Sequence, residues 1–218
     1  MNCVVTAGPS YEALDEVRRL TNFSTGRLGS ELATYLSSKG HTVSLLIGQQ
    51  ATWHGERAAA RVETFSTTAD LLEKLRAERN VEGLFHAAAV SDFTFGKILE
   101  RNAAGQLVEV KARKIPTSST GLLAELVPTP KIIAELRRLF PQAWLTGWKY
   151  EMDGDRSGVI KKALNQIEQN RTNACVANGV AYGDGFGIVT ASGKVEHCGT
   201  GNLLFAKLEQ LFVESRPR

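Results

Sequence analysis

Two short segments near the start of the chain carry residue types that suit phosphate binding. Ala7-Gly8-Pro9 follows an apolar run, and Ser24-Thr25-Gly26 lies immediately before a helical pattern. Small hydroxyl residues and glycine at the start of a helix leave backbone N–H groups that can hold a phosphate. Because a long insertion separates Gly8 from the helix, the pattern is not G-x-G-x-x-G. It therefore indicates phosphate more than a dinucleotide, with an ordinary helix cap as the alternative.

Asn22 and Asp92 are polar residues beside these segments or at the end of a strand. The Asn22 amide can donate a hydrogen bond to an acyl or phosphoryl oxygen, although a lone Asn more often belongs to a turn. Asp92 follows an apolar run, and a carboxylate at the carboxyl end of a strand can bind Mg²⁺ or ribose hydroxyls. An ordinary turn would explain Asp92 equally well.

A basic cluster lies in the stretch 91–120, which we predict to be a mobile excursion without regular structure. It contains Lys111, Arg113 and Lys114. Cations on a mobile loop can clamp a polyphosphate and stabilise a transferring group, whereas a basic run by itself more often forms a solvated face. Arg18 has the same two interpretations. We predict that His86, in an apolar strand, is a core residue rather than a base.

The elements that must position these residues alternate between strands and helices. Residues 11–25 show no clear period and are predicted to form a loop. Predicted helices begin near Gly26, at Thr68 as the cap, at Thr129-Pro130 with proline in the first position, at Asp155 and at residue 202. Strands are predicted at 2–6, 42–47, 61–65, 83–89, 122–127, 143–148 and 174–177, with two short β segments before the last helix.

This alternation predicts an α/β fold: a doubly wound, Rossmann-like, mostly parallel sheet with helices on both faces. Such sheets bind ligands at the carboxyl ends of their strands, where the polar residues described above lie. We find no internal repeat and no linker, so residues 1–218 are predicted to form a single domain.

Composition excludes several classes of protein. The 218 residues are 43% hydrophobic and 22% charged, with a net charge of +3, so disordered, collagenous and coiled-coil classes do not fit. The weak charge gives no reason to expect nucleic acid, and no apolar run is long enough for a membrane helix. Three cysteines without a C-x-x-C pair and no signal-peptide pattern lead us to expect a cytoplasmic protein.

Taken in order, the motifs resemble the phosphopantothenoylcysteine synthetases, or phosphopantothenate–cysteine ligases, of coenzyme A biosynthesis. The resemblance covers nearly the whole chain and is closer to the stand-alone forms than to those fused to a flavin-dependent decarboxylase, so no flavin is expected. The matching segments are Thr6–Ser10, Leu14–Arg18, Asn22–Gly29, Ala87–Phe93, Lys114-Ile115 with Ser118-Ser119, Leu126–Ile133, Gly147–Glu151 and Val176–Asn178.

The resemblance implies a reaction in two steps. The carboxylate of 4′-phosphopantothenate attacks the α-phosphorus of a nucleoside triphosphate, giving an acyl-nucleotidylate and pyrophosphate. The amino group of cysteine then displaces the nucleotide and forms an amide. Mg²⁺ is the implied cofactor, CTP is the favoured nucleotide and ATP is the alternative. A homodimer is also implied, with a separate decarboxylase acting next in the pathway.

Residue roles carry over in the same way. Asn22 matches the Asn that contacts the acyl-nucleotidylate, Arg18 an Arg associated with the substrate phosphate, and Asp92 the Asp at the nucleotide and the metal. The loop lysine is Lys114, by Lys114-Ile115, or Lys111, because Lys111–Lys114 resembles a K-x-K-K form. The implied nucleotide-binding residues are Gly8, Ser24, Thr25, Gly26, Ala88, Asp92 and Trp148.

The chain departs from the fused enzymes at Thr129–Lys131 and at Gly147–Glu151, and the lysines of their later helix are not matched in register, although Lys161 and Lys162 lie nearby. Two other functions stay open. One is a nucleotide-binding regulator of the same fold without catalysis. The other is an NAD(P)-dependent oxidoreductase, which the absence of G-x-G-x-x-G and Tyr-x-x-x-Lys patterns disfavours.

Overall fold

A computed structural model describes residues 1–116 and 121–215 of the chain. The helices in this part are α1 (Arg27–Ser38), α2 (Thr68–Ala77), α3 (Ile132–Leu139), α4 (Arg156–Asn170) and α5 (Gly201–Glu214). The strands are β1 (Asn2–Ala7), β2 (Tyr11–Ala13), β3 (Arg19–Thr21), β4 (Thr42–Gly48), β5 (Arg61–Phe65), β6 (Gly83–His86), β7 (Phe93–Arg101), β8 (Leu107–Glu109), β9 (Leu122–Pro128), β10 (Trp144–Tyr150), β11 (Ala174–Asn178), β12 (Phe186–Thr190) and β13 (Val195–Cys198).

Eight strands form one central sheet in the order β13-β12-β11-β10-β6-β1-β4-β5. The pairs from β5 to β11 are parallel, and β12 and β13 are antiparallel additions at one edge. Helices α1 and α5 pack on one face, and α2, α3 and α4 pack on the other. The predicted α/β fold is confirmed. The strand order reverses between β1 and β6, and this switch point is where ligands of such sheets bind.

Helix α1 packs closely on β1 because its sequence leaves room there. Leu32, Ala33 and Leu36 are fully buried, and Leu36 lies one helical turn after Leu32 and Ala33, on the same face. A Cβ atom added to Gly29 would lie 2.6 Å from the Cβ of Ala7 and 3.1 Å from the carbonyl oxygen of Thr6. Glycine at this position therefore lets the first turn of α1 approach the end of β1.

Two predictions of irregular structure are wrong. Residues 11–25 contain a small hairpin, in which β2 pairs with β3. Within 91–120, β7 and β8 join β9 in a separate three-stranded antiparallel sheet. The predicted strand at 122–127 exists, but it pairs in this small sheet and is exposed throughout. Residues 117–120, which include the Ser118-Ser119 part of the resemblance, lie outside the described residues.

Two helix starts differ from prediction. Thr67, not Thr68, caps α2, since its Oγ1 accepts a hydrogen bond of 3.2 Å from the Asp70 N–H. Pro130 precedes α3, whose N-terminal cap is Lys131. The cause lies at Thr129, whose N–H donates to the Asp92 carbonyl and whose hydroxyl donates to the Ser91 carbonyl, keeping this segment extended. Within the described ranges, no helix has the length and apolar character needed to cross a membrane.

Candidate functional site

The two predicted phosphate-binding segments meet at the switch point of the sheet. Gly8 and Gly26 both have positive φ angles, 73° and 78°. A Cβ atom on Gly26 would lie 3.3 Å from the Cα of Gly8, and on either glycine it would lie 2.9 Å from the Cβ of Ala51. Both the backbone conformation and the close approach therefore favour glycine at these two positions.

The start of α1 fits an anion. Its cap residue is Gly26, which offers no side-chain acceptor, and its first turn contains no acidic residue. The backbone N–H groups of a first helical turn have no partner inside the helix, and the helix dipole makes this end positive. Ser24 and Thr25 precede it directly, and the Thr25 hydroxyl accepts a hydrogen bond of 3.3 Å from the Arg27 N–H.

Asn22 reaches the end of β6. Its Nδ2 donates a hydrogen bond of 3.1 Å to the carbonyl oxygen of Ala89, and the Ala89 N–H donates to the Gly8 carbonyl. The amide of Asn22 is therefore held beside the glycine segment and the connection that leads to Asp92. The structure brings together Asn22, Gly8, Gly26 and Ala88 at the carboxyl ends of β1 and β6.

Arg18 lies beside the basic segment Lys111–Lys114. Its guanidinium donates to Asp15 and, over 2.7 Å, to the carbonyl oxygen of Ile115. Lys114 is exposed and directly precedes Ile115, so its backbone lies next to the contact between Arg18 and Ile115. Lys111 is 80% exposed and pairs with Glu109 at 3.8 Å, at the end of β8. Of the two lysines, Lys114 is therefore the one whose neighbouring residue contacts Arg18.

A polar cavity of about 500 Å³ opens between the ends of β6 and β10 and helices α3 and α4. Three lysines and two carboxylates line it: Lys131, Lys149, Lys162, Asp92 and Glu151. Glu151 pairs with Lys149 at 3.3 Å and with Lys162 at 2.5 Å. These contacts, Lys162 first, lower the pKa of Glu151. The excess of lysines over carboxylates suits a polyanion.

Most residues of this cavity were not predicted from the sequence. Lys161 and Lys162 had no assigned role, and the structure places Lys162 in the lining, together with Asn165 and Gln169 of the same helix. The spacing of these three residues, one helical turn each, puts them on one face of α4. That periodicity of polar residues on a helix following a strand was the available signal.

His86 is buried, as predicted, but it also lines the cavity. Its Nδ1 lies 2.8 Å from Thr6 Oγ1, which accepts a hydrogen bond of 3.2 Å from the Ala88 N–H. The tautomer of the ring decides which of these two atoms, Thr6 Oγ1 or His86 Nδ1, is the donor. Burial lowers the pKa of His86 to about 4, so the ring is neutral near pH 7.

Trp148 contributes to both faces of the sheet. Its carbonyl oxygen accepts a hydrogen bond of 3.2 Å from Gln166 on the α4 side. Its ring packs against the core beneath α1 and α5, and among the described residues its buried indole N–H has no hydrogen-bond partner. A buried indole donor without a partner is unusual, and this one belongs to a residue that the resemblance assigns to the nucleotide.

The residues around the cavity fit a magnesium ion that arrives with a nucleotide. Asp92 is exposed at the cavity wall, and Glu151 lies in the same lining. In the described part of the chain, no group of three or more His, Cys, Asp and Glu side chains forms a metal site. Mg²⁺ in nucleotide sites usually takes one or two carboxylates and completes its shell with phosphate oxygens and water, and Asp92 is the carboxylate at this wall that would hold it.

Comparison with curated proteins gives several related sequences, including two CoaBC proteins. The chain is 31% identical over 175 residues to the coenzyme A biosynthesis bifunctional protein CoaBC of Thermococcus kodakarensis, covering 80% of this chain and 40% of that protein. It is 29% identical over 196 residues to the CoaBC of Bacillus subtilis, covering 89% and 45%. The chain thus spans less than half the length of the curated relatives it matches.

A solved structure and a family model are also similar to this chain. The DNA/pantothenate metabolism flavoprotein of Streptococcus pneumoniae has the same fold, with a TM-score of 0.85 at 24% identity, covering 99% of this chain and 100% of that one. Residues 1–199 match the model of the DNA/pantothenate metabolism flavoprotein C-terminal domain. The chain therefore belongs to the family of this domain, in agreement with the synthetase resemblance of its motifs.

Proposed function

We propose that this protein is a cytoplasmic phosphopantothenate–cysteine ligase. The observation that carries the proposal is the position of the uncapped start of α1, with Gly8 and Gly26, beside a cavity lined by three lysines. A nucleoside triphosphate suits both the start of α1 and the lysine-lined cavity, since each favours negative charge. A further structural neighbour, at TM-score 0.73 and 15% identity, is Cab2 in complex with phosphopantothenate-cysteine, the product of this reaction.

In this proposal the nucleotide lies across the switch point. The N–H groups of the first turn of α1 hold one end of the triphosphate, and Lys149 and Lys162 neutralise the other. Glu151 keeps the two lysines apart and oriented through its two contacts. Mg²⁺, held by Asp92, supplies positive charge to the phosphate oxygens when bound. The Trp148 indole and the Ala88 segment face the nucleoside.

The first step joins the carboxylate of 4′-phosphopantothenate to the α-phosphorus, and the bond to the β-phosphate oxygen breaks. Pyrophosphate leaves with the electron pair, close to the cavity lysines. Arg18 binds the phosphate of the substrate, and Lys114 stabilises the charge that develops at the α-phosphate. These positions hold the reacting groups together and so lower the entropic part of the barrier.

The second step forms the amide. The amino group of cysteine attacks the acyl carbon, the nucleoside monophosphate leaves, and the nitrogen loses its proton to solvent. The Asn22 amide donates a hydrogen bond to the acyl oxygen as negative charge builds on it. Asparagine suits this position because its amide donates without competing as a nucleophile for the mixed anhydride.

We propose CTP as the nucleotide, with ATP as the alternative, and a homodimer as the active form. The small antiparallel sheet supports the dimer, since Leu107, Val108, Leu123 and Leu126 are each close to half exposed on it. Exposed apolar patches of this kind are typical of protein interfaces. The product would pass to a decarboxylase.

The test is pyrophosphate release by purified protein with 4′-phosphopantothenate and Mg²⁺, with CTP or ATP, in the presence and absence of cysteine. Carboxyl-¹⁸O-labelled substrate is used in parallel. The proposal predicts one ¹⁸O atom in the nucleoside monophosphate, because the carboxylate oxygen stays on phosphorus. Nucleotide binding without turnover would instead indicate a regulator of the same fold.

A further inference from the structure

Asp15 is the centre of a contact that joins two distant parts of the chain. Its carboxylate is 1% exposed and lies in the turn between β2 and β3. One oxygen accepts the N–H groups of Val17 and Arg18 at 3.0 and 2.8 Å. The other accepts Arg18 Nε at 3.0 Å and the N–H of Ile115 at 3.1 Å. Every one of these partners is a donor, so the carboxylate is well satisfied only when it is charged.

Asp15 and Arg18 together hold Ile115 at both of its backbone groups. Asp15 accepts the Ile115 N–H, and Arg18 Nη2 donates to the Ile115 carbonyl oxygen at 2.7 Å. The neighbouring residue on the other side of Lys114 is also fixed, since the carbonyl oxygen of Arg113 accepts the N–H of Glu16 at 3.0 Å. The backbone of Lys114 is therefore anchored at both flanking residues.

We propose that Asp15 is a positioning residue that links recognition of the substrate phosphate to the placement of Lys114. The inference rests on the proposed function, in which Arg18 binds that phosphate and Lys114 acts at the α-phosphate. One buried carboxylate fixes the guanidinium of Arg18 and the backbone beside Lys114, so both cations approach the substrate as one unit. The Arg18 guanidinium holds the pKa of Asp15 well below its usual range, which keeps this contact intact at any working pH.

Asp15→Asn is the direct test, because it keeps the shape and turns one acceptor oxygen into a donor that faces other donors. Trypsin cleavage after Arg113 and Lys114 reports the anchoring without reference to activity. We expect cleavage about tenfold faster in D15N, the effect of losing one charge-assisted hydrogen bond. The matched control is E16Q, which removes the 2.5 Å ion pair between Glu16 and Arg113, 55% and 87% exposed. Exposed pairs contribute little, so E16Q should cleave within about twofold of wild type.

Kinetics separate the two effects of Asp15. D15N should raise KM for 4′-phosphopantothenate about tenfold, through Arg18, and leave KM for the nucleotide unchanged. It should also lower kcat through Lys114. In a K114A background the loss of kcat on adding D15N should disappear, while the KM effect stays. A general loss of structure would raise both KM values and would add to K114A.

Each outcome decides the proposal. Equal trypsin cleavage of D15N and wild type, or a kcat loss that is the same with and without Lys114, overturns it. Should D15N fail to fold by circular dichroism, R18K replaces it, because lysine lacks the planar fork of donors with which Arg18 contacts Asp15 and the Ile115 carbonyl. Unchanged cleavage of R18K then overturns the proposal. A wild-type protein without ligase activity would refute the proposed function, and the cleavage comparison would still decide the anchoring.

Discussion

The neutral, buried state of His86 predicts how the protein responds to acid. The folded protein takes up a proton on this ring only near its lowered pKa of about 4, and the unfolded chain does so near 6.5. Between these values the unfolded state binds more protons. The free energy of unfolding is therefore highest above pH 6.5 and falls as the pH falls toward 4.

The size of the effect follows from the two pKa values. At about 1.4 kcal/mol per pH unit, acidification from 6.5 to 4.5 should lower the free energy of unfolding by roughly 2–3 kcal/mol. The pKa values of the carboxylates with a shift lie below their ordinary values, 3.8 for Asp15 and Asp155 and 4.5 for Glu135 and Glu151. Their stabilising contributions are lost only as the pH falls below those ordinary values. The window from 6.5 to 4.5 therefore isolates histidine.

Urea unfolding followed by tryptophan fluorescence at pH 7, 6, 5 and 4.5 measures this dependence. His86→Asn keeps an amide that can donate to or accept from the Thr6 hydroxyl and removes the titrating ring. Its stability should therefore change little across the window, whatever its value at pH 7. His54→Asn is the control, because His54 is exposed and should leave the wild-type slope intact. A His86→Asn variant with the wild-type slope would refute the assignment of this pH dependence to His86.

Three further predictions concern packing, catalysis and assembly. Gly29→Ala should lower the free energy of unfolding by about 1–3 kcal/mol in urea, because its methyl would overlap Ala7; an unchanged midpoint would mean that α1 shifts freely. Asn22→Ala should lower kcat by about 10²-fold, with an unchanged Kd for the nucleotide by calorimetry, and a wild-type kcat would remove Asn22 from the acyl site. Leu126→Lys, on the exposed small sheet, should convert a dimer to a monomer in light scattering, and a monomeric wild type would contradict the proposed interface.

The central sheet could be predicted because each of its strands carries its own signal. Residues 42–47 and 174–177 are short apolar runs bounded by turns, and parallel strands buried on both faces have that composition. The small sheet gives no such signal, since every residue of β9 is exposed and β7 has a register shift between Phe95 and Ile98. Its pairing depends on strands about 30 residues apart, which no local pattern reports.

The candidate site likewise has one part that the sequence predicts and another part that only the packing reveals. Gly8 and Gly26 could be placed together because each follows or precedes a recognisable element at one edge of the sheet. The choice between Lys111 and Lys114 stays open from the sequence, and the contact that anchors the backbone beside Lys114 joins Asp15 to Ile115 across 100 residues, which gives no local signal. Lys131, Lys149 and Lys162 come from three different elements, and only the packing of α3 and α4 over β10 brings them into one cavity.

Formation of the amide product tests the central claim most directly. The protein is incubated with 4′-phosphopantothenate, cysteine, Mg²⁺ and CTP or ATP, and the mixture is resolved by mass spectrometry. The ligase account predicts 4′-phosphopantothenoylcysteine in equal amount with the nucleoside monophosphate and pyrophosphate, dependent on cysteine. A nucleoside diphosphate with inorganic phosphate, or no amide with either nucleotide, would contradict it.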